Sequence, residues 1–158
     1  MKGNPKIIEL LNAALKKELM AINQYFIHGK MCENWGYQAL AKKYVDESIG
    51  EMKHADELIK RILFLDGTPN MTDYDKIVIG SNVKKQLESD LKLEEDAVAE
   101  LKPAIQFCLK ESDHVSRDLL ERILVEEEEH IDWIEGQLHI ISEAGYDNYL
   151  AQQIHQKA

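Results

Sequence analysis

The sequence predicts an all-α fold, with two helical hairpins joined by a long crossover into a four-helix bundle and a short fifth helix after it. Three observations carry that prediction. Four stretches place apolar residues at steps of three and four, the spacing of helices that bury one face. One irregular segment between the second and third stretches is longer than the tight loops that join antiparallel neighbours. The chain of 158 residues holds 8 Gly and 3 Pro, with 44% hydrophobic and 30% charged residues, a helix-leaning globular mixture rather than a disordered one. That length suits a single domain over residues 1–158, large enough for a core without disulfides.

The first helix is expected over about 5–33, where Ile7, Leu11, Leu15, Leu19, Ile22 and Phe26 form the stripe. After the break "NWGY" a second is expected over about 38–65, on Leu40, Tyr44, Leu58, Ile62 and Leu65. Residues 66–82, "DGTPNMTDYDKIVIGSN", are rich in turn formers and read as the crossover. The third helix, about 83–111, follows Leu87, Leu91, Val98, Leu101 and Ile105, with Ser81 or Asn82 as its cap; Pro103 within it should kink it or remove a hydrogen bond. Ser112 or Asp113 could cap a fourth over about 114–144. A short fifth is expected over about 147–156.

Charge and cysteine usage narrow the function classes. The formal net charge of −10 repels phosphate backbones and anionic membranes, so no nucleic-acid or membrane partner is expected, whereas cations are natural partners. Cys32 and Cys108 stand alone without CxxC spacing, which argues against thiolate metal cages and disulfides and for a reducing compartment. No apolar run approaches a membrane span or a leader's apolar core, and a cytoplasmic location is expected.

Projecting each helix at about 100° per residue places certain charged residues inside the apolar stripes. In the fourth helix the seam runs Leu120, Leu124, position 127, Ile131, Ile134, Leu138 and Ile141, so that Glu127 and His130 face the core. Glu126, Glu128 and Glu129 of the same run read as solvated. The second helix turns Glu51 and His54 inward, with Glu47 on the same face. The first carries Glu18 between Leu11 and Tyr25, and the third carries Glu94 between Leu87 and Leu101, with Asp90 one turn earlier. Glu94 follows Glu18 by 76 residues, Glu127 follows Glu51 by 76, and His130 follows His54 by 76. Each hairpin therefore contributes Glu on its first helix and Glu-x-x-His on its second.

A single interior Glu or His is usually satisfied locally, and Glu-x-x-His occurs by chance on many helices. Six such residues facing inward at one constant offset are another matter. Unpaired buried carboxylates cost several kcal/mol each, and two divalent cations would balance four of them. One imidazole per metal, carboxylates able to bridge and no thiolate suit iron or manganese better than a closed tetrahedral zinc site. Tyr25, two turns after Glu18 on the same face, is a core aromatic whose hydroxyl could bond a ligand carboxylate.

Glu18, "EMKH" over Glu51 to His54, Glu94, "EEEH" over Glu127 to His130, and the opening "MKGNPKIIELLNAALKKELMAINQYF" resemble bacterioferritins along essentially the whole chain. A Glu from each of two helices and Glu-x-x-His from each of the other two is the ligand set of ferritin-like dimetal bundles. The resemblance implies a ferritin-like four-helix bundle in a homo-oligomeric shell of 24 subunits built from dimers. That shell would oxidise Fe2+ with O2 or H2O2, store ferric mineral inside and release it to a ferredoxin-type reductant. It implies two Fe per subunit held by Glu18, Glu51, His54, Glu94, Glu127 and His130, with Glu51 and Glu127 bridging and Tyr25 as the hydrogen-bonding neighbour. It also implies haem b shared between two subunits through Met52, which projects with Val45 and Ile59 off the metal-facing stripe. An additional inner-surface iron site of some members would need a histidine where Asp46 stands and an acid at Gly50, and so loses support. The alternative on the same bundle is a small-molecule dimetal oxidoreductase of the manganese catalase or hydroxylase type.

Overall fold

The computed structural model describes residues 1–155. Among them lie helices α1 (Pro5–Trp35), α2 (Gln38–Phe64), α3 (Val83–Lys110), α4 (His114–Ala144) and α5 (Tyr146–Ala151), with no strand. α1 packs antiparallel on α2 and α3 on α4, and the two hairpins close into one bundle.

Local chemistry sets the helix ends. Pro5 occupies the first turn of α1, where a missing N–H is no loss, and Asn4 accepts from the Lys6 N–H at 2.8 Å. Gly36, at φ 90°, ends the helix in a left-handed turn that lets the Tyr37 N–H reach the Cys32 carbonyl at 2.9 Å. Of the cap candidates, Asn82 and Asp113 are the ones used, accepting from Lys85 and Ser116 N–H groups at 2.9 and 3.0 Å. α3 runs through Pro103; the ring denies the Ala99 carbonyl its donor, tolerably, because Ala99 is exposed to water.

α2 has no side-chain cap. One of its first-turn donors is met by tertiary structure instead, as the Gln153 carbonyl accepts from the Ala39 N–H at 3.0 Å. This explains why α5 is shorter than the expected 147–156. The chain leaves the helix at Ala151 and turns back so that Gln153 can reach α2. Residue 156 of that expectation lies outside the described residues.

The apolar core is in two pieces. One gathers Ile7, Leu11, Leu15, Leu58, Ile62, Leu101, Leu120 and Ile123; the other gathers Met20, Tyr25, Leu40, Tyr44, Leu87, Ile134, Ile141 and Tyr149. Burying each of the large aliphatic side chains contributes about 1.5–3 kcal/mol. Phe26, expected in the α1 stripe, is 52% exposed; it follows Tyr25 by one residue, about 100° around the helix.

The crossover is stitched along α1. Asn12 donates to the Thr68 carbonyl at 3.1 Å and accepts from the Asn70 N–H at 2.8 Å, and Lys16 pairs with Asp75 at 2.9 Å. Gln24 accepts from the Val78 N–H at 3.2 Å and His28 Nε2 from the Gly80 N–H at 3.0 Å. Glycine is required at position 80, because a Cβ there would collide with the backbone of Gln86.

Candidate metal centre

The layer between the two apolar pieces is where the six inward-facing residues meet. Glu18, Glu51, His54 and Glu127 bring one ligating atom each within 4.8 Å of one another, and so do Glu51, Glu94, Glu127 and His130. Glu51 and Glu127 belong to both quartets and stand between the two halves. His54 Nδ1 lies 3.4 Å from Glu18 Oε2, 3.4 Å from Glu51 Oε2 and 3.5 Å from Glu127 Oε1. His130 Nδ1 lies 3.2 Å from Glu51 Oε1, 3.5 Å from Glu94 Oε1 and 4.0 Å from Glu127 Oε2. Thus both imidazoles present the same nitrogen to the carboxylates.

All four glutamates are buried, Glu51 completely. Glu18 Oε2, Glu51 Oε1, Glu94 Oε2, Glu127 Oε1 and His130 Nδ1 have no hydrogen-bond partner. Four carboxylates gathered in a buried layer, each with an oxygen that lacks a donor, form a negative site that a protein cannot leave uncompensated. The donor set of carboxylates and imidazoles fits two divalent cations, one per quartet.

Without cations the site holds protons. Burial, and then the charge of Glu51, raise Glu18 well above the usual carboxylate range. Burial pushes Glu94 up to about 7. For His54, burial opposes a charged ring, yet Glu18 and Glu51 outweigh it and raise it to about 11. His130, similarly opposed by burial, is raised by Glu47, Glu51 and Glu94 to about 12. Tyr25 is buried, donates its hydroxyl to Glu94 Oε1, and is raised well above its ordinary value by burial and by the charge on Glu94.

Two residues of the site had no partner assigned from the sequence. Glu126, read as solvated, is half exposed but accepts from His54 Nε2 at 2.7 Å. Glu47, on the inward face, pairs with His130 Nε2 and with Lys43 Nζ at 2.6 Å. Glu126 lies about 100° off the α4 seam, and only the approach of α2 to α4 brings His54 to it; no pattern within α4 could have shown this. Asp46 is exposed and paired with Lys42 at 2.6 Å, and Gly50 offers no ligand. Met52 points away from the centre although it follows Glu51 directly; it is 55% exposed on the single protomer, one turn from Ile49, itself 47% exposed.

A second buried polar cluster lies one turn along α3. Asp90 Oδ1 accepts from Gln24 Nε2 at 2.8 Å and pairs with His28 Nδ1 at 2.9 Å. His28 Nε2 accepts the Gly80 N–H, so its proton sits on Nδ1 and points at Asp90.

A family model described as a ferritin-like domain matches residues 8–144. A bacterioferritin of Brucella melitensis is 49% identical over 149 residues, covering 94% of this chain and 92% of the relative. A bacterioferritin of Mycobacterium bovis is 46% identical over 96% of each chain. One of Rhodobacter capsulatus is 44% identical over 92% of this chain and 90% of the relative.

Proposed function

The chain belongs to the ferritin family, in its bacterioferritin branch of iron-storage proteins, and from that premise we propose that its two quartets bind and oxidise Fe2+ on the way to storage. One observation carries this reading: the carboxylates of Glu18, Glu51, Glu94 and Glu127, each with one oxygen that has no donor, converge beside His54 and His130. Glu18 and His54 would hold one ion and Glu94 and His130 the other, with Glu51 and Glu127 shared. Two ferrous ions each give up one electron, and O2 accepts the pair with two protons to form H2O2, or H2O2 accepts the pair with two protons to form two waters. The chain's part is to hold both donors side by side, so that two electrons leave together. As cations bind, the protons on the imidazoles and carboxylates must depart. Tyr25 holds Glu94 by its hydroxyl.

The rest of the reading comes with the branch. We place the chain in a cytoplasmic shell of 24 copies, emptied by a ferredoxin-type reductant, with haem b shared between paired protomers through Met52. An exposed thioether on an apolar helix face suits a group held between two copies. When bound, such a haem would supply one-electron transfer, and Met52 Sδ is the atom of this chain that would hold it.

Purified shells given Fe2+ and O2 should form a mineralised particle, with two Fe2+ per chain oxidised in the first fast phase. The doubly substituted Glu94→Ala, Glu127→Ala shell should assemble but lose that phase; equal rates would defeat the proposal. Met52→Leu should abolish the bis-methionine haem spectrum while oxidation persists, and a retained spectrum would defeat the haem assignment.

A further inference from the structure

The two carboxylates behind the imidazoles have a part of their own, and this inference rests on the quartets being metal-binding. His54 and His130 lie on different helices and belong to different hairpins, yet both turn Nδ1 inward and Nε2 outward onto a carboxylate, Glu126 for one and Glu47 for the other. An imidazole can ligate a cation through Nδ1 only if that nitrogen is bare, and a ring fixed in one orientation ligates better than a free one. A carboxylate accepting from Nε2–H secures both conditions and makes Nδ1 more basic.

We propose that Glu126 and Glu47 are positioning residues, each fixing the tautomer and orientation of one metal-facing histidine. The pair crosses the bundle: Glu126 on α4 holds a ligand of α2, and Glu47 on α2 holds a ligand of α4. Both line, with His130, a cleft of about 520 Å³ that is open to solvent.

The two supports differ in stiffness. Glu47 has 18% of its side chain exposed and is tied to Lys43, whose Nζ lies 4.8 Å from the Trp133 ring centroid. Glu126 has 53% exposed and bonds only His54 among the described residues. A support that is screened by water and free to rotate constrains its ring less, so the His54 side should depend on Glu126 less than the His130 side depends on Glu47.

Titrating Co2+ into metal-free full-length protein, by calorimetry and by its visible ligand-field bands, tests this. The native protein should bind two Co2+ per chain. Glu47→Ala should weaken one of the two sites about a hundred-fold and Glu126→Ala the other about ten-fold, within the range for such outer carboxylates, with altered bands at the affected site. Glu47→Gln and Glu126→Gln, which keep an acceptor for Nε2–H, should recover most of the affinity. Alanine variants with native affinity and bands overturn the inference while leaving the metal reading intact. An equal loss in Glu129→Ala overturns it too, because general charge would then be the cause. Native protein that binds no Co2+ overturns both.

Discussion

Asp90 and Glu94 sit one turn apart on α3, both buried and both facing a histidine from another helix, yet their surroundings answer them differently. Around Asp90 the protein supplies its own donors: Gln24 Nε2, His28 Nδ1, and the Gly80 N–H behind that ring. What is left over there, Asp90 Oδ2 and the Tyr44 hydroxyl, is an acceptor with a donor. Around Glu94 the leftovers are carboxylate oxygens and one ring nitrogen. The contrast teaches that a buried acid alone is no sign of a metal site; what sets the Glu94 layer apart, and makes it the candidate, is its surplus of acceptors over donors.

The difference can be broken most sharply through stability. Asp90→Ala strands Gln24 and His28 in the interior and should cost about 3–5 kcal/mol. Glu94→Gln removes one of several crowded acids while leaving Tyr25 an acceptor, and should raise the stability of metal-free protein. Urea midpoints read both effects, and a loss of similar size in each variant would erase the distinction.

A smaller effect separates the clusters by pH and metal. In metal-free protein the folded state holds His54 and His130 at about 11 and about 12, above the ordinary 6.5. Their contribution is therefore fully present below about 6.5 and is lost as pH rises toward 11. Glu94, raised to about 7, works in the same direction between 4.5 and 7. Thermal midpoints of metal-free protein should fall from pH 6.5 to 9. Co2+ at a hundred times its Kd should restore about 2.7 kcal/mol per site and should bind more tightly as pH rises. Glu127→Ala should abolish that metal response, and Asp90→Asn should retain it. The smallest effect is a control: Asn82→Ala, which uncaps the helix carrying both clusters, should cost about 1 kcal/mol without changing Co2+ affinity.

The bundle and six residues of the centre were legible because helical periodicity is local and the offset of 76 repeats it in both hairpins. Glu126 was not, since its partner lies across the bundle on α2. Asp90 stood out on the inward face of α3, but nothing linear joined it to His28 or to Gly80. The early end of α5 was hidden for the same reason, because α2's need for a backbone acceptor is met by Gln153, a residue remote in sequence.

The stitched crossover has a consequence for assembly of the fold. Two hairpins packed side by side could slip past one another by one helical turn, about 5.4 Å, with apolar stripes still in contact. Such a slip would bring Asp90 toward the level of Glu94, an acid in place of an acid, so the carboxylates alone discriminate poorly against it. Asn12, Lys16, Gln24 and His28 are spaced by about one, two and one turns and grip successive points of the crossover. They act as a ruler: a shifted register would pull Val78 and Gly80, just ahead of α3, off Gln24 and His28 and part those two from Asp90, so residues outside the quartets help set their phase.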